Sequence, residues 1–180
     1  MGWEKITIGT HFETGSGGTP LSSMPEYYDG GNIPWINSGE LNAPFINSTH
    51  NYITEAGKNN SSAKLFPKDS VLVAMYGATA GKCSLLEIEA TTNQAICAIL
   101  PSQNHSPHFI KYAIDNLYAF LKSSSSGSAR DNISQDFIKN LVLFCPKGKE
   151  KQESLITILS LIDRKIALNR EINRNLPLSA

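Results

Sequence analysis

Apolar and polar positions along this chain follow two different rhythms. Over the first 147 residues the apolar positions come in short runs separated by Gly, Pro, Asn and Ser, as in short strands joined by turns. Ser70 to Tyr76 (SVLVAMY) is β-rich and uninterrupted, which predicts a buried strand. Ala95 to Leu100 (AICAIL) predicts another, stopped by Pro101. Ile33-Pro34-Trp35-Ile36 follows the turn signal Asp29-Gly30-Gly31-Asn32 and reads as extended. Gly15 to Pro20 (GSGGTP) reads as a loop, because three glycines and a proline cannot continue a helix.

From His108 to Lys122 the period becomes helical, with Phe109, Ile110, Ala113, Ile114, Leu117, Phe120 and Leu121 in register and Pro107 where a helix starts. Ser123 to Ser128 (SSSSGS) reads as a flexible polar loop. Ile133 to Asp136 leads into a short helix or turn, and Leu141 to Phe144 gives a last strand closed by Cys145-Pro146.

A second rhythm begins at Gly148. From there to about Leu176 no proline interrupts, and Leu155, Leu159, Ile162, Ile166, Ile172 and Leu176 form a stripe with a period of roughly 3.5 residues, broken by Asn169 and Asn173. The helix this predicts is about 43 Å long and ends at Pro177. A lone helix cannot bury such a stripe. Either it folds back on its own domain, or it pairs with a second helix, where a polar Asn in the seam specifies register. The expected organisation is a mixed domain over residues 1–147 followed by a helix over 148–180.

Composition keeps the chain among ordinary globular proteins, with 41% hydrophobic and 18% charged residues over 180 positions. No apolar run reaches the roughly 18 residues needed to span a bilayer, and MGWEKITIGT is too polar for a signal peptide, so a cytoplasmic protein is expected. Cys83, Cys97 and Cys145 are too sparse for a disulfide framework.

The net charge is zero, which runs against the basic footprint of most DNA binders. It is unevenly spread, with residues 148–176 carrying +2 and the remainder −2. A DNA-binding role then requires clustered cations or affinity borrowed from partners.

Candidate chemistry narrows the function classes further. Gly77 to Ser84 (GATAGKCS) follows a strand and suggests a phosphate loop. That loop needs four residues between its glycines and Ser or Thr after Lys; here there are three, and Cys83 follows Lys82. The remaining readings are a tight turn between strands, or a turn presenting Thr79 and Lys82 to a phosphate or base edge. His105 and His108 are split by Ser106-Pro107 and have no companions for a tetrahedral metal set, so no metal or cofactor is expected. No Gly-x-Ser-x-Gly elbow occurs, and Cys83 has no obvious His partner, so nothing supports catalysis. Amide side chains are plentiful instead: Asn32, Asn37, Asn93, Gln94, Asn132 and Gln135 lie in or beside loops, and such groups can pair with adenine as Arg and Lys do with guanine. Arg130, the only arginine outside the last helix, beside the serine loop, either contacts a base or pairs with Asp131 or Asp136.

The order of these pieces carries a resemblance. Trp3 to Ile6 (WEKI) precedes GGTP at Gly17 to Pro20, IPWINSGEL at Ile33 to Leu41 and YITEAG at Tyr52 to Gly57. AKLFPKDSVLVAMYGATAGK from Ala63 to Lys82, TTNQA from Thr91 to Ala95, GSARDNIS from Gly127 to Ser134 and KQESLITILSLIDRKIALNREIN from Lys151 to Asn173 follow. This succession resembles the specificity subunits of type I restriction-modification systems over nearly the whole chain. The resemblance implies an α/β (α+β) target-recognition domain with short mixed and antiparallel strands and a few helices, then one long coiled-coil-forming helix. It implies a non-enzymatic subunit that binds double-stranded DNA, reads one half of a split target, and assembles with methylation and, for cleavage, restriction subunits. Ser16, Thr19, Thr79, Lys82, Asn93, Gln94, Ser128, Arg130 and Asn132, in the GGTP, GATAGK, TNQ and GSAR segments, are the expected DNA-side residues. Leu155, Leu159, Ile162, Ile166, Asn169, Ile172 and Leu176 are the expected pairing and docking face. One recognition domain and one helix make half a subunit, either a natural short form or a cut piece, able to dimerise antiparallel. A protein-interaction module without DNA contact is the alternative, and a nucleotide-dependent enzyme a distant third.

Overall fold

Val71–Ala74 is buried on both faces, which is why its sequence reads as a continuous apolar run rather than an alternating one. The computed structural model describes residues 2–126 and 132–175. In chain order the elements are β1 (Trp3–Thr7), α1 (Ile8–His11), β2 (Thr14–Ser16), β3 (Ile33–Ile36), β4 (Phe45–Ile46), β5 (Tyr52–Ile53), α2 (Glu55–Asn59) and β6 (Leu65–Phe66). They continue with β7 (Val71–Ala74), β8 (Cys83–Leu86), β9 (Ala90–Thr92), β10 (Ile96–Ile99), α3 (Pro107–Asp115), α4 (Tyr118–Ser126), α5 (Gln135–Lys139), β11 (Val142–Pro146) and α6 (Lys149–Asn175).

The strands form three sheets in the orders β2-β10-β7-β8-β4, β5-β3-β9-β6 and β1-β11. Pairing is antiparallel except for β4 with β8 and β3 with β9. Alternation along β7 divides the core in two. Val71 and Val73 join Cys97, Ile99, Leu85, Phe109, Ile110, Ile114 and Ile138 on the helical side. Leu72 and Ala74 join Ile96, Ala98, Leu86, Ile36, Ile46 and Phe66 between the two larger sheets. The α/β architecture expected from the sequence is therefore present, and among the described residues no helix is long and apolar enough to cross a membrane.

Three local expectations need correction. Gly15 and Ser16 are not loop: they belong to β2, where Ala98 and Cys97 of β10 supply a ladder the local sequence does not announce. The apolar stretch 108–122 is two helices, interrupted at Asn116–Leu117, where Asn116, a weak helix former, closes α3. Ser123–Ser126 continues α4 instead of forming a loop; the Ser123 and Ser124 hydroxyls donate to Phe120 O, and packing of buried Leu121 outweighs the poor propensity of serine. Gly127 and Ser128 lie outside the described residues.

The base of α6 is locked by Gln152, a polar residue with no exposure. Ser106 N–H can only donate, so its 2.9 Å bond fixes Gln152 Oε1, and Nε2 then donates to Pro146 O (2.9 Å) and His105 Nδ1 (3.2 Å). His105 is thus held neutral with its proton on Nε2. Burial lowers its pKa, reinforced by His11; burial and then Arg164 lower that of His108. Unfolded imidazoles protonate near pH 6.5, so below that value the unfolded state binds more protons than the folded one. Stability is expected to be full above about pH 6.5 and to fall as pH drops toward 5.5. A urea midpoint that stays flat over this interval would show that neither ring is kept neutral.

Candidate nucleic-acid interface

Because β3 and β9 run parallel and β7 runs antiparallel to β8 and β10, the chain leaves or enters all five strands at one end of the sheets. Four connecting segments meet there: 16–20, 37–42, 75–82 and 92–95. Their closeness is built by hydrogen bonds between residues far apart in sequence.

Gly17 and Gly18 lie against the end of β9. Gly18 N–H donates to Thr92 O at 2.8 Å, and Trp35 Nε1 donates to Gly18 O at 3.0 Å. Ser16 Oγ is turned inward, donating to Gln94 O (3.2 Å) and Ile96 O (3.1 Å). Thr19 is exposed and its hydroxyl donates to Gln94 Oε1 at 2.5 Å, so the exposed Gln94 side chain is tethered through its amide oxygen. Asn93 sits lower: its Nδ2 reaches Asn37 Oδ1 at 3.4 Å while its Oδ1 accepts from Ala95 N–H at 3.2 Å.

The Gly77–Lys82 segment is a glycine turn between β7 and β8. Gly77 and Gly81 have φ of 83° and 81°, the left-handed region open to glycine, which lets Gly81 N–H return to Ala74 O at 2.9 Å. Thr79 is buried and donates to Ser38 O at 2.9 Å, so it supports the turn and does not face outward. Lys82 donates to Asn42 Oδ1 at the rim. Asn42 has no motif to mark it; its part comes from a fold closure across 40 residues. Glu40, the nearby acid, is absorbed within its own turn by Asn37 N–H, the Thr49 hydroxyl and the Asn51 amide. The result is a polar, hydrogen-bonding surface whose outward charge among these four segments is Lys82.

Asn132 is exposed beside this end, where Ile133 N–H donates to Met75 O at 2.7 Å. Ser128 and Arg130 lie outside the described residues, as does Leu176. Cys83 faces the core instead. Burial, and secondarily Asp115, push its thiol well above the usual range, and Cys97 is pushed up to about 12 by burial.

The predicted stripe of α6 is on its open side. Leu155, Leu159, Ile162, Ile166 and Ile172 are 42–55% exposed, while Gln152 and Ile156, one face over, are buried against the domain. The helix therefore folds back only in part: its first half packs on α3 and β11, and its apolar stripe remains uncovered in this chain.

Residues 1–178 match the family model described as "Type I restriction modification DNA specificity domain". Similar relatives include the EcoR124I/EcoR124II specificity subunit of Escherichia coli, 29% identical over 95% of this chain and 43% of that protein. The MjaIX specificity subunit of Methanocaldococcus jannaschii is 27% identical over 95% of this chain and 40% of its own length. The crystal structure of a type I S subunit from M. genitalium shares the fold with a TM-score of 0.73 at 18% identity, over 94% of this chain and 41% of that one. The chain thus spans about two-fifths of the length of these relatives.

Proposed function

This chain belongs to the family of type I restriction-modification DNA specificity domains, and from that membership we propose that it reads one half of a bipartite duplex target and catalyses no reaction itself. Residues 1–147 are the recognition part and 148–180 the pairing and docking part, built on α6 (Lys149–Asn175). Methylation and restriction subunits supply the chemistry, the first docking on α6 in the cytoplasm. A second copy, paired antiparallel along α6, stands in for the second half of the longer relatives.

The observation that carries this reading is the convergence of segments 16–20, 37–42, 75–82 and 92–95 at one end of the sheets, with Thr19, Gln94 and Lys82 turned outward. Uncharged donors and acceptors there suit base edges, and Lys82 suits a phosphate. With so little positive charge, most of the phosphate affinity must come from the partner subunits.

Fluorescence anisotropy on a random-sequence duplex pool, titrated with salt and repeated with methylation subunits present, tests the reading. Lys82→Gln is expected to weaken binding equally across sequences and reduce the salt slope by about 0.9. No salt-dependent binding in either arm overturns the reading. Capture of the methylation subunits with no duplex bound would establish the protein-docking alternative, which the uncovered α6 stripe favours.

A further inference from the structure

Where α6 crosses α3, an ammonium group is buried. Lys111 is 3% exposed, and its Nζ lies 2.6 Å from Asp115 Oδ2 and 3.5 Å from Asp163 Oδ2. The Tyr112 hydroxyl donates to the same Asp163 oxygen at 2.7 Å, and Lys111 Nζ stands 4.3 Å from the Tyr112 ring centre. Cys83 Sγ closes the group against Asp115 Oδ1 at 3.0 Å. One residue along, Arg164 Nη2 meets Glu87 Oε1 at 3.0 Å, and its guanidinium covers Phe45 at 5.1 Å.

Stability alone does not explain this arrangement. Desolvating an ammonium and a carboxylate offsets most of their attraction, and an apolar residue at 111 would pack at least as well. What a buried ion pair adds is geometry, because its partners tolerate few alternative placements. The location is where geometry is needed. On the domain side α6 buries Gln152 and Ile156, while residues 164–174 are exposed. Gln152 fixes the start of the helix; two points are required to fix a direction.

We propose that Lys111, Tyr112 and Asp163 form the joint that sets the angle at which α6 leaves the recognition domain, and through it the spacing between paired half-sites. The inference rests on the reading above in so far as α6 separates two recognition domains. From Asp163 to Asn175 the helix runs roughly 18 Å at 1.5 Å per residue. A tilt of about 10° swings its end by about 3 Å, close to the 3.4 Å rise of one base pair. Small errors at the joint therefore become whole base pairs.

The test uses the full chain with spin labels at Lys68→Cys and Glu171→Cys, both exposed, while the three native thiols are buried. Tyr112→Phe removes one hydroxyl and leaves the core intact; Asp163→Ala removes the acceptor. Both are expected to shift or broaden the label-to-label distance by about 3 Å with little change in the urea midpoint of Tyr112→Phe. Assembled with methylation subunits, both should enrich duplexes whose half-site spacing differs from the unsubstituted protein by about one base pair. Unchanged distances in both variants overturn the joint, and changed distances with an unchanged spacing preference overturn its role as a ruler. Failure of the unsubstituted chain to bind duplex in any company would sink the recognition reading, while the label distances still decide the joint.

Discussion

Gly17→Ala is expected to cost the protein about 3 kcal/mol of stability and about 100-fold in duplex affinity. A Cβ at this position would stand 1.9 Å from Thr92 O, 2.4 Å from Thr92 Oγ1 and 2.6 Å from Thr92 C. None of these can yield cheaply. Thr92 is the last residue of β9, paired in parallel with Ile36 of β3, and its carbonyl already accepts from Gly18 N–H. The 16–20 segment must therefore lift away. Doing so strands the buried Trp35 indole N–H, a loss of about 1–3 kcal/mol by itself, and breaks the Thr19 tether on Gln94. Two outward-facing side chains then lose their relative placement, and each well-made base contact is worth about 1–3 kcal/mol. Gly39→Ala is the control: it lies in the adjacent 37–42 segment and a Cβ there meets nothing within 4 Å. Urea midpoints and anisotropy should separate the two variants; equal behaviour would mean that the close approach of 16–20 to β9 has no bearing on binding.

The sequence displayed the parts whose physics is local. β7 and β10 are buried on both faces, so their apolar runs were visible without knowledge of their neighbours. The start of α3 is written in Ser106-Pro107, where the Ser106 hydroxyl accepts from Phe109 N–H. The length of α6 follows from the absence of helix breakers. Elements created by distant partners were not legible. β4, β5 and β6 are two residues each and carry no period. β2 exists because β10, some 80 residues away, offers a ladder.

The same division holds for the site. The order of the GGTP, GATAGK and TNQ segments pointed to a common surface, and these segments do meet at one end of the sheets. Which way each side chain turns was hidden, since Thr79 faces Ser38 while Lys82 reaches Asn42. Lys111 is the clearest case. It stands beside the apolar residues of α3, where a lysine ordinarily marks the solvated edge, and only contact with α6 fifty-two positions later turns it into a buried cation.

If α6 self-pairs as proposed, Ile162→Asp with Ile166→Asp is expected to disrupt that pairing while leaving the α/β body folded. Both side chains are 42–50% exposed in the single chain and belong to none of its core clusters. They lie four apart, one turn along the uncovered stripe that also includes Leu155, Leu159 and Ile172. Covering an apolar side chain of this size fully is worth about 1.5–3 kcal/mol, so the half still open contributes roughly 1 kcal/mol at each position. Replacement by Asp does more than remove that gain. In an antiparallel pair it sets four carboxylates in an apolar seam, where each must be desolvated or keep the helices apart. The dissociation constant should rise at least about 100-fold, read by sedimentation equilibrium or light scattering across micromolar concentrations. Ile156→Asp serves as the opposite control, because Ile156 is 8% exposed within the main core and its loss should lower the unfolding midpoint. An unsubstituted chain that stays monomeric throughout that range would remove self-pairing from the account. A double variant that unfolds like Ile156→Asp would show that the open face of α6 supports its own domain after all.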